Sequence, residues 1–347
     1  MLKQLRSGMV CVLAAAMVAA SAMPAWAVYS NYGYGMPVET GSYANAALNV
    51  QVANDLWLAS SQSGQSTSTY TNSFGGLTCD GYAKAWLVTT VYGGTASNTA
   101  TVTATVNGHT IASPTVGTTT DANTNAFGST VGLWVLSLPI DPSYLNSNGT
   151  ANQVSVSIGN KTKGAGASAV FDGRSMYQSL VTVSQDDSLN NTLDYAFAAG
   201  GGDIGKAPSS YLTSRTLDMG SLGSGTVTSA RAHAIYTYGD LNQKDKLLFN
   251  GTALVGDDVA NKKNGVSSPT YPADVIDTDV TSFVQSGTNS LKFTVDAADF
   301  DAGASLETSL RPQLAILDVT RVVPEPATLV LLAFGGVAAL RRSRRMA

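Results

Sequence analysis

From about Leu48 to Val322 the chain alternates apolar and polar residues in short runs broken by Gly, Asn and Ser, with no long amphipathic helical period. That pattern commits it to sheets. In Thr99 to Val106, Val102, Ala104 and Val106 point one way and Thr101, Thr103 and Thr105 the other, and Asn107-Gly108 then supplies the positive-φ residues of a tight hairpin. Lys84 to Tyr92 is apolar on both alternating sets, Trp86, Val88 and Tyr92 against Ala85, Leu87 and Val91. A strand of that kind is central and covered on both faces.

The pattern occurs twice. Ala83 to Leu87 is echoed by Ala230 to Ala234, Val106-Asn107-Gly108 by Phe249-Asn250-Gly251, and Ser143-Tyr144-Leu145-Asn146-Ser147 by Ser282-Phe283-Val284-Gln285-Ser286. Gly149-Thr150 is echoed by Gly287-Thr288, Val154 to Ile158 by Leu291 to Val295, and Tyr177 to Val183 by Leu314 to Thr320. Six matches in one order predict two copies of one β unit. Asp141 before Pro142 starts a short helical turn in the first copy; Asp279 and Gly287 bracket its counterpart. The polar stretch Gln185 to Asn191 separates the copies. The fold expected is all-β: two tandem β-sandwiches, residues 47–187 and 188–321, after a leader (28–46) that is either flexible or an edge strand. A signal helix precedes them and a single transmembrane helix follows.

Both ends of the chain seek lipid. Lys3 and Arg6 precede an apolar run from Met9 to Met23, and Ala25-Trp26-Ala27 offers signal peptidase its small residues, so residues 1–27 read as a cleaved secretory signal. At the other end Val323-Pro324-Glu325-Pro326 leads into the uncharged run Ala327 to Leu340, followed by Arg341, Arg342, Arg344 and Arg345. An uncharged helix satisfies its own backbone in lipid, and the arginines behind it keep the C-terminus inside. The span is about fourteen residues, roughly 21 Å of helix. That suits temporary residence better than permanent anchoring.

Pro-Glu-Pro, a short apolar span and terminal arginines, in that order over residues 323–345, resemble the PEP-CTERM sorting signal of exported Gram-negative bacterial proteins. The resemblance implies an exosortase as processing partner, a transient stay in the inner membrane, and delivery to the cell surface or the exopolysaccharide matrix. More loosely, the strand arrangement, with its Asn-Gly hairpin and a turn ending in Gly-Thr-(x)-Asn, resembles galactose-binding-like or jelly-roll modules of surface proteins. That likeness names no catalytic residue.

Composition excludes several functions. The chain carries a net charge of -4 at pH 7, and the signal and tail hold several of its basic residues, so the exported middle is more acidic still. Nucleic acid would need a basic surface. Cys11 falls in the signal, which leaves Cys79 alone and rules out an intramolecular disulfide. Gly200 to Lys206 has the spacing of a phosphate-binding loop, but Ala207 stands where Ser or Thr should hold magnesium and Pro208 breaks the helix that should follow. His109 and His233 are the only histidines, too few for a histidine-built zinc site, and no Gly-x-Ser-x-Gly elbow offers a serine nucleophile.

Glu307 is the only glutamate between residues 47 and 321, so a glycosidase pair would have to come from aspartates. Asp296, Asp299 and Asp301 after a strand end have the chemistry calcium accepts, although acidic loops are ordinarily just solvated. Trp57 is the tryptophan freest to stack on a sugar, since Trp86 and Trp134 sit inside apolar strands. The expectation is an exported, non-enzymatic structural or interaction protein with no required cofactor. A carbohydrate-binding module using calcium is the alternative, and a polysaccharide-acting enzyme the remote third.

Overall fold

The computed structural model describes residues 28–31, 36–53, 65–93, 98–117, 133–164, 170–200, 204–205, 212–237, 243–257, 259, 273–306 and 310–322. They form antiparallel sheets and short 3-10 turns, with no α-helix among them. The signal, the C-terminal span, Trp57 and Glu307 lie outside the described residues. Among those described, no helix is long and apolar enough to cross a membrane.

In the first half, an inner sheet runs β1 (Val28–Asn31), β9 (Leu133–Pro139), β5 (Gly81–Tyr92), β11 (Gln178–Gln185), β3 (Ala46–Ala53). An outer sheet faces it: β4 (Ser68–Phe74), β10 (Asn152–Thr162), β6 (Thr99–Val106), β7 (His109–Ala112), with β8 (Thr115–Val116) also on β6. In the second half the inner sheet runs β17 (Asp274–Asp279), β14 (Thr226–Thr237), β19 (Arg311–Val322), β12 (Thr192–Ala199), β2 (Val38–Ala44). Its outer sheet is β13 (Ser214–Ser221), β18 (Thr288–Thr294), β15 (Lys246–Phe249), β16 (Thr252–Ala253). Strand by strand the two halves have one order: β9-β5-β11-β3 corresponds to β17-β14-β19-β12, and β4-β10-β6-β7 to β13-β18-β15-β16.

The strands alternate sides, so each inner sheet feeds two cores. Ala85, Leu87 and Val91 of β5 pack with Val102, Ala104 and Val106 of β6 inside the first half. Ala230, Ala232 and Ala234 of β14 do the same with Phe249 and Phe293 inside the second, small residues meeting large ones. The other faces of the two inner sheets pack on each other: Trp86, Val88, Val181 and Val183 from the first half share one cluster with Leu193, Phe197, Leu314 and Ile316 from the second. Four sheet layers thus enclose three apolar cores.

One asparagine device is built identically into both halves. Asn107 and Asn250 take φ of 47° and 49° in their hairpin turns, with Gly108 and Gly251 at 83° and 82°. Asn107 Nδ2 donates to Tyr144 O (2.7 Å) and Asn152 Oδ1 (2.8 Å), and Asn250 Nδ2 donates to Phe283 O and Asn289 Oδ1, both at 2.9 Å. Asn152 Oδ1 also accepts from the Asn146 amide at 2.8 Å, as Asn289 Oδ1 accepts from the Gln285 amide at 2.9 Å. Asn152 and Asn289 are buried, and these bonds satisfy turn groups that would otherwise be desolvated without partners.

Residues 28–46, set apart in sequence as a flexible leader or an edge strand, supply two edge strands. β1 joins the first half, β2 joins the second, and the chain returns to the first through Asn45 (φ 52°). The second half is therefore not one continuous stretch of chain. β2 carries little apolar alternation because its outer edge is open and its residues are exposed or half-exposed, none of them buried.

Candidate functional site

The strand ends separate into two poles. At one, the connections are short and pinned: Asn45, residues 75–80, 107–108, 186–191, 222–225 and 250–251, with the two 3-10 turns, Pro142–Tyr144 and Thr281–Phe283. Asn45 N donates to Asn191 O (2.8 Å) and Asp186 N to Asn45 O (2.9 Å), which ties both halves together there, while Asp80 N donates to Gln185 O (2.9 Å) within the first half. The strand ends of the opposite pole are separated in sequence by mostly longer stretches, 54–67, 117–132, 163–177, 200–213, 254–273 and 295–310, alongside shorter ones at 93–98 and 238–245.

β19 ends at the short-turn pole, and its last residues are clamped. Arg321 alternates in phase with Leu317 and Val319, and Asp194 with Ala196 and Ala198, so both charges point inward from neighbouring strands. Arg321 Nε donates to Asp194 Oδ2 at 2.6 Å and Nη2 to Oδ1 at 2.9 Å, while Nη1 donates to Ser224 O. The Gly223 amide donates to Asp194 Oδ2 at 3.2 Å. Burial alone would raise the Asp194 carboxyl. The hydrogen bonds from Arg321, Ser42 and Gly223 outweigh it and hold the group below the usual carboxylate range. The clamp borders a cavity of about 320 Å³ lined by Thr40, Ser42, Tyr195, Met219 and Leu222 among others. This clamp was missed in sequence, although the signal was present: two charges stand at inward-facing positions of otherwise apolar strands.

The residues singled out in sequence lie elsewhere. Trp86 and Trp134 are core residues, 4% and 1% exposed. Asp296 caps the 3-10 turn Ala297–Asp299, accepting from Ala298 N at 3.0 Å, and Asp299 is held by Lys292 (2.8 Å) and Thr294. Desolvation acts to raise the Asp299 carboxyl, but its hydrogen bonds with Lys292 and Thr294 lower it on balance. Among the described residues no group of three or more His, Cys, Asp or Glu side chains stands ready for a metal.

His109 stacks on Tyr144, ring centroids 4.3 Å apart. His233 lies on the β14 face turned toward the first half; Nε2 is 2.9 Å from Asp318 Oδ1 and Nδ1 is 3.3 Å from Asp277 Oδ1. Both ring nitrogens are thereby engaged, and the imidazole links β14 to β17 and β19. Of the glycine-rich stretch, Gly200, Ile204 and Gly205 are described; Ile204 bridges to Leu212 and Leu310. Cys79 is half-buried and unpaired by disulfide, its thiol 3.3 Å from Gly81 O.

Residues 322–345 match the PEP-CTERM protein-sorting motif. The motif therefore begins at the last residue of β19, one position after the clamped Arg321. It implies a membrane-anchored precursor, processed by an exosortase and exported to the cell surface. No curated protein matches the chain.

Among solved structures, dimeric latent PorU from Porphyromonas gingivalis is similar over 81% of this chain and 22% of its own, at 9% identity and TM-score 0.29. A beta-porphyranase of glycoside hydrolase family 86 from Bacteroides plebeius is similar over 84% of this chain and 37% of its own, at 11% identity and TM-score 0.23. PNGase F, a glycosylasparaginase from Flavobacterium meningosepticum, is similar over 80% of this chain and 96% of its own, at 9% identity and TM-score 0.27. The chain thus spans well under half of the first two. At these TM-scores none of the likenesses carries a function across.

Proposed function

We propose that this protein works outside the inner membrane as a non-enzymatic structural or interaction component of the cell surface or its exopolysaccharide matrix, delivered there as an exosortase substrate. The sorting motif at residues 322–345 carries this reading. Two features support it. His233 is tied between two aspartates and His109 is stacked on Tyr144 at a hairpin turn, and large connected apolar cores suit a protein that must persist outside the cell without a disulfide. The test is mass spectrometry of the protein recovered from membrane and medium. The expected species begins at Val28 and has lost the apolar span, and Glu325→Ala accumulates as a membrane-bound form with the span intact. Release of Glu325→Ala at the normal rate would remove the basis for sorting. Hydrolysis of the producer's own polysaccharide, abolished by one aspartate substitution, would replace the structural role with an enzymatic one.

A further inference from the structure

We propose, building on the sorting reading, that the short-turn pole is the surface turned toward the lipid face of the membrane while the precursor is anchored, and that the long-connection pole is presented outward. The exit point and the tether length carry this inference. β19 reaches Val322 at the short-turn pole with Arg321 clamped by Asp194, so the fold holds the chain up to the first residue of the motif. From Val322 to the start of the apolar run at Ala327 there are about five residues, at most roughly 17 Å of chain. Part of that length is taken up by the headgroup layer, about 5–8 Å per leaflet.

The body is longer than this tether. β5 alone, at 12 residues, spans roughly 40 Å from pole to pole. Residues beside the exit therefore stay within reach of the headgroups, while those of the opposite pole stand a strand's length away.

Tethering, rather than adhesion, keeps the pole there. Phe283 and Val322 are its exposed large apolar side chains among the described residues, and Asp141 and Asp279 are exposed and Asp186 half-buried on its turns. Hydrogen bonds from Ser143, Ser188 and Thr281 keep those three carboxyls below their ordinary range, so the pole is anionic at neutral pH and gains nothing from an anionic lipid surface. Cutting the tether then frees the body.

The experiment uses the signal-cleaved precursor, residues 28–347, with Cys79→Ser, reconstituted by its C-terminal span into vesicles whose lipid headgroups carry a nitroxide quencher. A fluorophore is placed on Ser286→Cys at the short-turn pole, or on Lys163→Cys or Asp301→Cys at the other. Quenching at residue 286 is expected to exceed that at 163 and 301 by at least about threefold. Equal quenching at both poles, or stronger quenching at 163 and 301, overturns the orientation while leaving the anchor intact. Failure of the chain to float with the vesicles overturns the anchor reading and the orientation together.

Discussion

Trp86 of the first half lies against Phe197 of the second, ring centroids 4.7 Å apart and planes within 14° of each other. Tyr195 meets the same indole edge-on at 5.7 Å. The two halves are thus joined through an aromatic center in a shared core, with the rim pair Lys84–Glu39 (3.4 Å, both largely exposed) adding little.

Trp86→Ala is expected to lower stability by about 3–5 kcal/mol, the usual cost of deleting a large buried aromatic. Lys84→Ala should change it by less than about 1 kcal/mol. Urea denaturation of both variants checks the contrast; equal effects would mean that the inter-half core is not what joins the halves.

Asn152→Ala and Asn289→Ala are expected to behave alike, since each removes the acceptor for a hairpin asparagine and a turn amide. A loss of about 1–3 kcal/mol is expected in each case, from buried groups left without partners. Thermal melts of the two variants would expose any difference. A neutral substitution in one half alone would show that the matching bonds are unequal in energy.

Arg321→Ala strands the Asp194 carboxylate in a largely buried place, at a cost of about 3–5 kcal/mol, and Arg321→Met with Asp194→Leu should recover most of it. The pH dependence follows in sign. Asp194 has a folded pKa below its unfolded value, so its contribution is present above the ordinary carboxylate pKa of about 4 and is lost as pH falls through the folded value. Denaturation midpoints at pH 7 and pH 3 should therefore differ less in Asp194→Asn than in the parent protein.

Chelator and added calcium are both expected to leave the melting temperature unchanged, because Asp299 already holds the Lys292 ammonium and Asp296 a turn amide. A rise with calcium that disappears in Asp301→Asn would assign those loops a metal after all.

Gly41→Ala is expected to destabilise by about 1–3 kcal/mol through overpacking. A Cβ at Gly41 would stand 2.5 Å from the Tyr195 ring, which is fixed between Tyr43 and Trp86. Measuring the same change at Gly256, where an added Cβ meets nothing, supplies the control.

Period-two alternation showed which residues are inward, and β6 follows it residue for residue, with Ala100, Val102, Ala104 and Val106 buried and the threonines between them partly open. It also showed that β5 is covered on both faces. It could not show what covers them, because alternation fixes a side chain's face and carries no information about the opposing sheet. For that reason Trp86 could be placed in a core but Phe197 could not be named as its neighbour. β2 was illegible for a different reason: Gly41, Ser42 and Glu39 give an open-edged strand no apolar stripe, and its pairing with β12 spans more than a hundred residues of chain. The Arg321–Asp194 clamp was hidden by the habit of assigning charges to solvent.

β19 is the middle strand of its sheet, flanked by β14 and β12, and it is also the last described strand, ending where the sorting motif begins. A polypeptide delivered N-terminus first must therefore leave that sheet in two unjoined parts until residue 322 has crossed. On the sorting route proposed above, assembly of the second half would finish only as the tail reached the bilayer, so that completion of the fold and arrest in the membrane would coincide.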